Sequence, residues 1–380
     1  MFYDFQLQTK IKFGNGVTNE VGKVMRDYDI RRALIITDSG IVRSKLHVSA
    51  TDSLKGNGIE YEIFSEVESD PSITTISKAE KFAKECSAEA IIGLGGGSSI
   101  DTAKAVAILL ENGGKLRQFS GVDKIKKLNM PLIAIPTTAG TGSEVTRFAV
   151  ISDTDEKFTI ASHLITPKVA LLDPSLTLSL PKNITAYTGI DALAHAIESY
   201  TSTLSQPIAD LFALKAIELI IKNLRIVVAR GDNLKARENM LQASLFAGIA
   251  FNNAFLGLCH AIASPLGAYF HIPHGLAIAV TLPYVMEYNA LASSDKFAFI
   301  YKVLYPYDSC GDELKLSDKL ITSIANLIKD IGLPSNLRNI GVSEEKLSSV
   351  AEDAQKSVQL KYNSRIASQD DILSILKKAY

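Results

Sequence analysis

Short apolar runs alternate with helical stretches between residues 30 and 175, and this alternation is the feature that most constrains the fold. The apolar runs cover residues 33–38, 61–67, 90–97, 131–138 and 169–174, and the clearest helical patterns between them cover 73–87 and 99–113. Strands that alternate with helices are typical of βαβ units. We therefore predict a parallel sheet covered by helices on both faces, with an added hairpin over 148–162 and a strand-like segment over 1–13.

A connector at residues 173–183 contains two prolines and separates this pattern from the rest of the chain. Beyond it, strand signals nearly vanish and amphipathic helical patterns continue to the carboxyl end. A length of 380 residues also suits two lobes better than one. We predict an α/β plus all-α fold, with an N-terminal Rossmann-like parallel-sheet domain over 1–180 and a C-terminal all-helical domain over 181–380.

Charge and composition exclude several classes of partner. Charged residues make up 21% of the chain and the formal net charge is -1, so we expect no basic face for nucleic acid. No apolar run reaches the roughly 18–20 residues of a membrane span. The first residues also lack the continuous apolar region of a signal peptide. We therefore expect a cytoplasmic protein. The cysteines, Cys86, Cys259 and Cys310, are widely spaced. Any metal should therefore bind nitrogen and oxygen atoms.

The segment AIIGLGGGSSIDTAK (90–104) combines a buried strand, a run of glycines and a helix that we expect to open at Ser98 or Ser99. Backbone N–H groups at such a turn bind phosphate together with the helix dipole. The segment lacks the GK[ST] ending of a P-loop and departs from GxGxxG at Ser98. A second turn, PTTAGTGSE (136–144), leaves another predicted strand. Two such turns predict a dinucleotide crevice; a merely structural glycine turn is the alternative.

Asp38 ends a strand that precedes the glycine-rich turn. A carboxylate at this place can accept a hydrogen bond from the 2′-hydroxyl of an adenosine ribose, and it would repel a 2′-phosphate. This interpretation favours NAD over NADP. The alternative is that Asp38 is a helix N-cap or a turn residue.

Asp191 and His195 lie four residues apart in the mostly apolar stretch GIDALAHAIE. This spacing is about 6 Å along a helix, so both side chains can reach one ion. His260 and His274 come from another predicted helix and the loop after it. We predict that Asp191, His195, His260 and His274 hold a divalent Fe, Zn, Co or Ni ion. The alternative is four ordinary core or surface residues.

The chain resembles the iron-containing (group III) alcohol dehydrogenases. The resemblance extends in order over essentially the whole chain, and it rests on the motifs GGGSSIDTAK, PTTAGTGSEVT, DPSLTLSLP, TGIDALAHAIE, NNAFLGLCHAIASPLG and IPHG. The resemblance implies a dinucleotide domain, a helical domain, an active site in the cleft between them, and a homodimer or larger homo-oligomer. It assigns the metal ligands to Asp191, His195, His260 and His274. It also assigns the cofactor diphosphate to Gly95, Gly96, Gly97 and Ser98, and the ribose and nicotinamide parts to Asp101, Thr137, Thr138, Ser143 and Lys157.

The chain departs from the family pattern at the predicted substrate pocket. Family members commonly carry HAxxH with the second histidine facing the substrate, and Ser264 stands there in HAIAS. A serine can relay a proton but does not hold one at neutral pH as imidazole does. His271 is expected to line the pocket or to lie at the surface. Phe148 and Phe251 are expected to make the pocket small and fairly apolar, with ordinary core packing as the alternative.

The resemblance implies a metal-dependent NAD(P) alcohol dehydrogenase or aldehyde reductase. The expected metal is Fe²⁺, with Zn²⁺ as the alternative, and the expected substrate is a small primary alcohol or aldehyde. One rival is a related metal- and NAD-dependent enzyme that acts on a polyol or phosphorylated substrate. The absence of Lys and Arg from 191–198 and 256–278 disfavours an anionic substrate. The other rival is a non-catalytic nucleotide-binding relative.

Overall fold

The predicted alternation produces a six-stranded parallel sheet in the computed structural model, which describes residues 3–153 and 156–380. In chain order the strands of the described residues are β1 (Lys10–Phe13), β2 (Arg32–Ile36), β3 (Glu60–Phe64), β4 (Ala90–Gly95), β5 (Gly121–Val122), β6 (Leu132–Pro136), β7 (Phe148–Asp153), β8 (Glu156–Ala161) and β9 (Val169–Leu172). Six of them form the parallel sheet, in the order β1-β9-β6-β4-β2-β3. The predicted α/β plus all-α fold class is confirmed.

Helices cover both faces of this sheet, because successive side chains on each strand point to opposite faces. In β2, Ala33 and Ile35 belong to one buried apolar cluster, and Leu34 and Ile36 belong to another. The helices of this unit, which spans Leu7–Leu180, are α1 (Val21–Asp27), α2 (Ser39–Arg43), α3 (Val48–Gly56), α4 (Ile73–Glu85) and α5 (Gly97–Asn112).

The chain reverses its direction across the sheet between β2 and β4. The strand β3 lies outside β2, whereas β6, β9 and β1 follow β4 on the other side. In doubly wound folds, ligands bind outside the carboxyl ends of the strands at such a reversal. Asp38 closely follows β2 and the glycine-rich turn directly follows β4. The two predicted cofactor elements therefore lie at neighbouring strand ends.

A second sheet contains the predicted hairpin. The strands β7 and β8 pair antiparallel from Phe148 opposite Ala161, and β5 pairs with β8. The residues between β7 and β8 lie outside the described residues. The strand β5 was not predicted, because two residues are too short to show an alternating pattern.

Buried polar groups connect this second sheet to α5. The side chain of Lys104 is fully buried, and its Nζ donates hydrogen bonds to Ser143 Oγ at 2.8 Å and to the carbonyl of Phe148 at 2.6 Å. One turn earlier, Asp101 accepts hydrogen bonds from Ser143 Oγ at 2.5 Å and from the Val150 N–H at 2.9 Å. These bonds fix the turn after β6 against the helix that follows the glycines.

The glutamate next to Ser143 is buried as well. Glu144 is 1% exposed, and within residues 3–153 and 156–380 its Oε1 finds no hydrogen-bond partner. Burial raises the pKa of Glu144 to about 7 and lowers the pKa of Lys104 to about 8. Burial of an incompletely bonded carboxyl group costs folding free energy, and the cost grows when the group ionises.

The second unit spans Pro181–Tyr380 together with residues 3–6, and its regular elements are all helices. They are α6 (Lys182–Thr201), α7 (Pro207–Ala229), α8 (Leu234–Ala254), α9 (Leu258–Phe270), α10 (His274–Leu304), α11 (Glu313–Asp330), α12 (Leu347–Gln355) and α13 (Gln369–Ala379). Among the residues the structure describes, no single helix is long and apolar enough to cross a membrane. The pair α8 and α9 meets that test only when taken together and is bent by 105°.

The prediction of a strand over residues 1–13 is wrong for most of its length. Only Lys10–Phe13 form a strand, and they pair with Val169–Leu172 in β9. Because β9 has only four residues, it can pair with only four residues of β1. Residues 3–9 alternate in polarity, but they lie beyond the end of this pairing. Residues 1 and 2 lie outside the described residues.

We predict that Glu144→Gln stabilises the protein at neutral and higher pH. A folded-state pKa of about 7, above the ordinary value of 4.5, means that the folded chain loses stability as the pH rises from 4.5 to 7. Glutamine does not ionise and avoids this loss. The gain over wild type should increase by on the order of 3 kcal/mol between about pH 4 and about pH 8. Urea denaturation at both pH values measures it.

The matched control is Glu345→Gln, which removes an exposed carboxylate. It should change the free energy of unfolding by about the same small amount at both pH values. A stability difference for Glu144→Gln that does not depend on pH would contradict the prediction.

Candidate metal centre and cofactor turn

The helix α6 presents an acid, a histidine and a second acid on one face. Asp191, His195 and Glu198 are spaced four and three residues apart, which places them one above another on the helix. Each of the three is only 5% exposed. Gly189 lies on the opposite face of α6, where a Cβ would lie 2.4 Å from Leu224 Cδ1 in α7, so α7 packs closely on that side.

The helices α9 and α10 bring two further histidines to Asp191. His260 lies in the first turn of α9, and His274 is the first residue of α10 rather than part of a loop. The approach of α10 depends on the next residue, because a Cβ on Gly275 would lie 2.3 Å from the carbonyl oxygen of Tyr187 in α6. A side chain at Gly275 would therefore push His274 away from the acid.

One oxygen of Asp191 lies at the centre of this group. Asp191 Oδ1 is 3.7 Å from His195 Nε2, 3.5 Å from His260 Nε2 and 3.7 Å from His274 Nε2. Asp191, His195 and His260 are buried, and their ligand atoms lie within 4.8 Å of one another. The structure thus brings the four sequence-predicted residues together.

These distances fit a shared ion better than direct hydrogen bonds. Good N–H···O bonds are about 2.7–3.2 Å long, whereas two ligand atoms held about 2.1 Å from a tetrahedral ion lie roughly 3.4 Å apart. In the described part of the chain, neither Asp191 Oδ1 nor His260 Nε2 has a hydrogen-bond partner. Buried polar atoms are rarely left unpaired. A divalent cation with nitrogen and oxygen ligands would satisfy both atoms.

The charges of the four groups also suit a cation. Burial alone would raise the pKa of Asp191, but the surrounding histidines hold that pKa well below its usual range. Burial lowers the pKa of His195 to about 4, so this ring is neutral at pH 7 and offers a lone pair. Burial would lower the pKa of His260 too, but Glu198 and Asp191 raise it to about 9. His260 must therefore lose a proton before it can bind a metal.

Glu198 is a further residue of the site that was not predicted from the sequence. Its Oε2 accepts a hydrogen bond from His260 Nδ1 at 2.5 Å, whereas the other ring nitrogen of His260 faces Asp191. A signal was present in the sequence, because Glu198 is the one acid besides Asp191 in α6 and lies three residues after His195. A buried acid at helical spacing from two predicted ligands is a candidate hydrogen-bond partner for a ligand ring.

Two of the four predicted pocket residues, Phe251 and Ser264, contact proposed metal ligands. The ring of Phe251, in α8, packs on the ring of His195 with centroids 4.5 Å apart. Ser264 Oγ donates a hydrogen bond to the carbonyl of His260 at 3.1 Å. His271 is exposed at the end of α9 and has a left-handed backbone, with φ of 53°. Phe148, at the start of β7, is half-buried.

The glycine-rich turn joins β4 to α5 without a side-chain cap. The prediction that Ser98 or Ser99 opens the helix is wrong, because α5 begins at Gly97 and its N-cap is Gly96. The strand runs almost directly into the helix, so both serines fall within the first turn. The open backbone N–H groups of a helix N-terminus form a site that suits a phosphate group.

Close contacts around this turn explain its glycines. A Cβ on Gly95, where φ is +148°, would lie 2.5 Å from Ser99 Oγ. A Cβ on Gly97 would lie 2.8 Å from Thr141 Cγ2, in the turn after β6. The Thr137 N–H donates to the carbonyl of Gly95 at 3.0 Å. The two predicted cofactor turns therefore pack directly against each other.

The remaining predicted cofactor residues surround these turns. Asp38 is the N-cap of α2, since its Oδ1 accepts hydrogen bonds from the N–H groups of the first turn, and its Oδ2 lies 3.6 Å from the place of a Cβ on Gly95. The place of a Cβ on Gly96 is 3.4 Å from Thr138 Cγ2. Lys157 forms an ion pair of 2.7 Å with Asp70. Asp70 in turn donates its N–H to Ser98 Oγ at 3.3 Å.

Both parts of the chain match family models. The model described as iron-containing alcohol dehydrogenase matches residues 8–174. The model described as the C-terminal part of the Fe-containing alcohol dehydrogenase family matches residues 185–380.

Curated and solved relatives cover nearly the full length. The chain is 38% identical to 1,3-propanediol dehydrogenase of Klebsiella pneumoniae, with 100% of this chain and 99% of that protein covered. It is 36% identical to NAD-dependent methanol dehydrogenase of Bacillus methanolicus, with 96% and 97% covered. The solved structure of the alcohol dehydrogenase from Oenococcus oeni is 36% identical in sequence and superposes with a TM-score of 0.97. The match covers 100% of this chain and 100% of that chain.

We predict that metal affinity rises with pH up to about 9. The pKa of His260 is about 9 in the metal-free chain, so a metal must displace a proton from this ring at neutral pH. The apparent dissociation constant should fall by up to about tenfold per pH unit below this pKa. Competition with a chromophoric chelator, using Zn²⁺ as the probe at several pH values, measures the slope. Zinc binding that releases no proton between about pH 7 and about pH 8 would contradict the prediction.

Proposed function

The chain belongs to the iron-containing alcohol dehydrogenase family, and from this premise we propose that it is a metal- and NAD-dependent alcohol dehydrogenase or aldehyde reductase. It would move hydride between the nicotinamide C4 and a small primary alcohol or aldehyde. The observation that carries the proposal is the convergence of three imidazole nitrogens on one oxygen of Asp191, at 3.5–3.7 Å.

The residues proposed to hold the metal are Asp191, His195, His260 and His274. Three nitrogens and one oxygen suit Fe²⁺ and also Zn²⁺, and the family favours Fe²⁺. When bound, the ion supplies a Lewis acid for the oxygen of the alcohol or aldehyde, and the nicotinamide accepts or donates the hydride. The chain itself holds the ligand atoms in place through α6, α9 and α10.

The glycine-rich turn is proposed to bind the cofactor diphosphate. The uncapped first turn of α5 offers backbone N–H groups to an anion, and Gly95, Gly96 and Gly97 leave the room that side chains would fill. Asp38 lies beside Gly95, and in the proposed binding mode its carboxylate would repel the 2′-phosphate of NADP. This position supports NAD as the preferred cofactor.

A small and uncharged substrate suits the surroundings of the metal residues. Phe251 covers one face of His195 with an apolar ring. The segments 191–198 and 256–278 contain no Lys or Arg that could bind a phosphate or carboxylate group of a substrate. Methanol and 1,3-propanediol, named in two relatives, are substrates of this kind.

Ser264 and His271 are the two side chains that the sequence suggested for proton transfer, and the structure describes both. The hydroxyl hydrogen of Ser264 is engaged with the carbonyl of His260, so this serine is placed to accept a hydrogen bond rather than to donate one. His271 is exposed at the end of α9. We propose that solvent carries most of the protons that the reaction releases.

A ligand variant and a neighbouring histidine variant test this proposal. Anaerobically purified protein loaded with Fe²⁺ should reduce NAD in the presence of short primary alcohols, followed by the absorbance of NADH. His260→Ala removes one proposed ligand, so kcat/KM should fall by more than about 100-fold together with the metal content. His271→Ala is the matched control, and it should keep both within about threefold.

Equal losses in His260→Ala and His271→Ala would contradict the ligand assignment. A metal-loaded wild type that turns over neither alcohols with NAD nor aldehydes with NADH would contradict the proposed activity.

A further inference from the structure

The carboxylate of Glu198 joins two parts of the metal centre that come from different helices. It lies on α6, one turn beyond His195, and it is 5% exposed. It accepts three hydrogen bonds from the start of α9: from the N–H of Gly257 at 3.1 Å, from the N–H of Cys259 at 2.6 Å and from the ring of His260 at 2.5 Å. Both carboxylate oxygens of Glu198 thus accept hydrogen bonds from the first turn of α9 and its N-cap.

The backbone bonds replace a cap that α9 lacks. Gly257 is the N-cap of α9 and makes no side-chain cap bond. A negative charge at a helix N-terminus is favourable, and Glu198 supplies it from another helix. Gly257 leaves the room for this contact, because a Cβ there would lie 3.3 Å from Glu198 Oε1.

The third bond determines which nitrogen of His260 is available. An ionised carboxylate only accepts hydrogen bonds, so Nδ1 of His260 must donate its hydrogen to Glu198. In the neutral ring the lone pair is then on Nε2. This is the atom that lies 3.5 Å from Asp191 Oδ1 and that finds no hydrogen-bond partner among the residues described.

We propose that Glu198 is a positioning residue that fixes the tautomer and the ring orientation of His260, so that Nε2 faces the metal. The inference rests on the metal centre put forward under the proposed function. Carboxylates that accept from the second nitrogen of a ligand histidine recur in metal sites, and their loss typically lowers metal affinity by about 10–100-fold.

Glu198→Gln is the informative variant, because it keeps the size of the side chain and one acceptor oxygen. The amide nitrogen is a donor, and it favours a ring that accepts at Nδ1 and carries its hydrogen on Nε2, where the metal should bind. The dissociation constant for Zn²⁺, used as the probe on the full chain, should rise by about 10–100-fold. Competition with a chromophoric chelator measures this constant.

Asn363→Ala is the matched control for the same turn. Asn363 Oδ1 accepts a hydrogen bond from the Leu258 N–H at 3.2 Å, next to the bonds that Glu198 accepts. Its loss should lower the thermal unfolding midpoint of the metal-free chain but leave the zinc constant within about threefold. If Glu198→Gln binds zinc within about threefold of wild type, or if Asn363→Ala weakens binding as much, the positioning role is overturned.

The wild type supplies a readout that does not depend on the folding of a variant. In the zinc-loaded protein, ¹H–¹⁵N correlation of the histidine rings should show His260 with its hydrogen on Nδ1, assigned by the loss of that signal in His260→Ala. A hydrogen on Nε2 would overturn the inference. A wild type that binds no zinc would overturn the metal centre itself, whereas tight binding that Glu198→Gln leaves unchanged would overturn the positioning role alone.

Discussion

A buried carboxylate oxygen surrounded by imidazole rings is the constraint on which the candidate site depends. Asp191 Oδ1 lies 3.5–3.7 Å from three ring nitrogens, and none of these distances is that of a good hydrogen bond. Burying a carboxylate is costly unless its oxygens are well bonded, and Asp191 Oδ1 has no hydrogen-bond partner among the described residues. A divalent cation would satisfy this oxygen and would use the four ligand atoms at once. The packing of α6, α9 and α10, which brings these atoms together, therefore supports the proposed metal centre.

Each unit positions its site through close backbone approach. In the helical unit, Gly189 and Gly275 let α7 and α10 pack tightly against α6, and Gly257 lets Glu198 reach the start of α9. In the parallel-sheet unit, the glycines after β4 let the turn after β6 pack against the first turn of α5. Side chains then connect the elements that the glycines bring together, as Lys104 does for α5 and β7.

Much of the fold and part of the site could be predicted from residue spacing. The pair Asp191 and His195 follows from the helical period, and the βαβ alternation predicts the sheet. The pairing partner of a strand and the first residue of a helix depend on tertiary contacts, so most of the strand expected over 1–13 and the helix start expected at Ser98 or Ser99 were wrong. The spacing of Glu198 from His195 places both on one face of α6, but the bond of Glu198 to His260, 62 residues away, is a tertiary contact that spacing within one helix does not specify.

X-ray diffraction at the metal absorption edge, on crystals of anaerobically purified protein loaded with one divalent ion, tests the four-residue metal centre most directly. The anomalous signal should show one ion per chain, about 2.0–2.2 Å from an Asp191 oxygen and from one nitrogen each of His195, His260 and His274. An ion bound elsewhere, or those four side chains turned apart around no ion, would contradict the proposed centre.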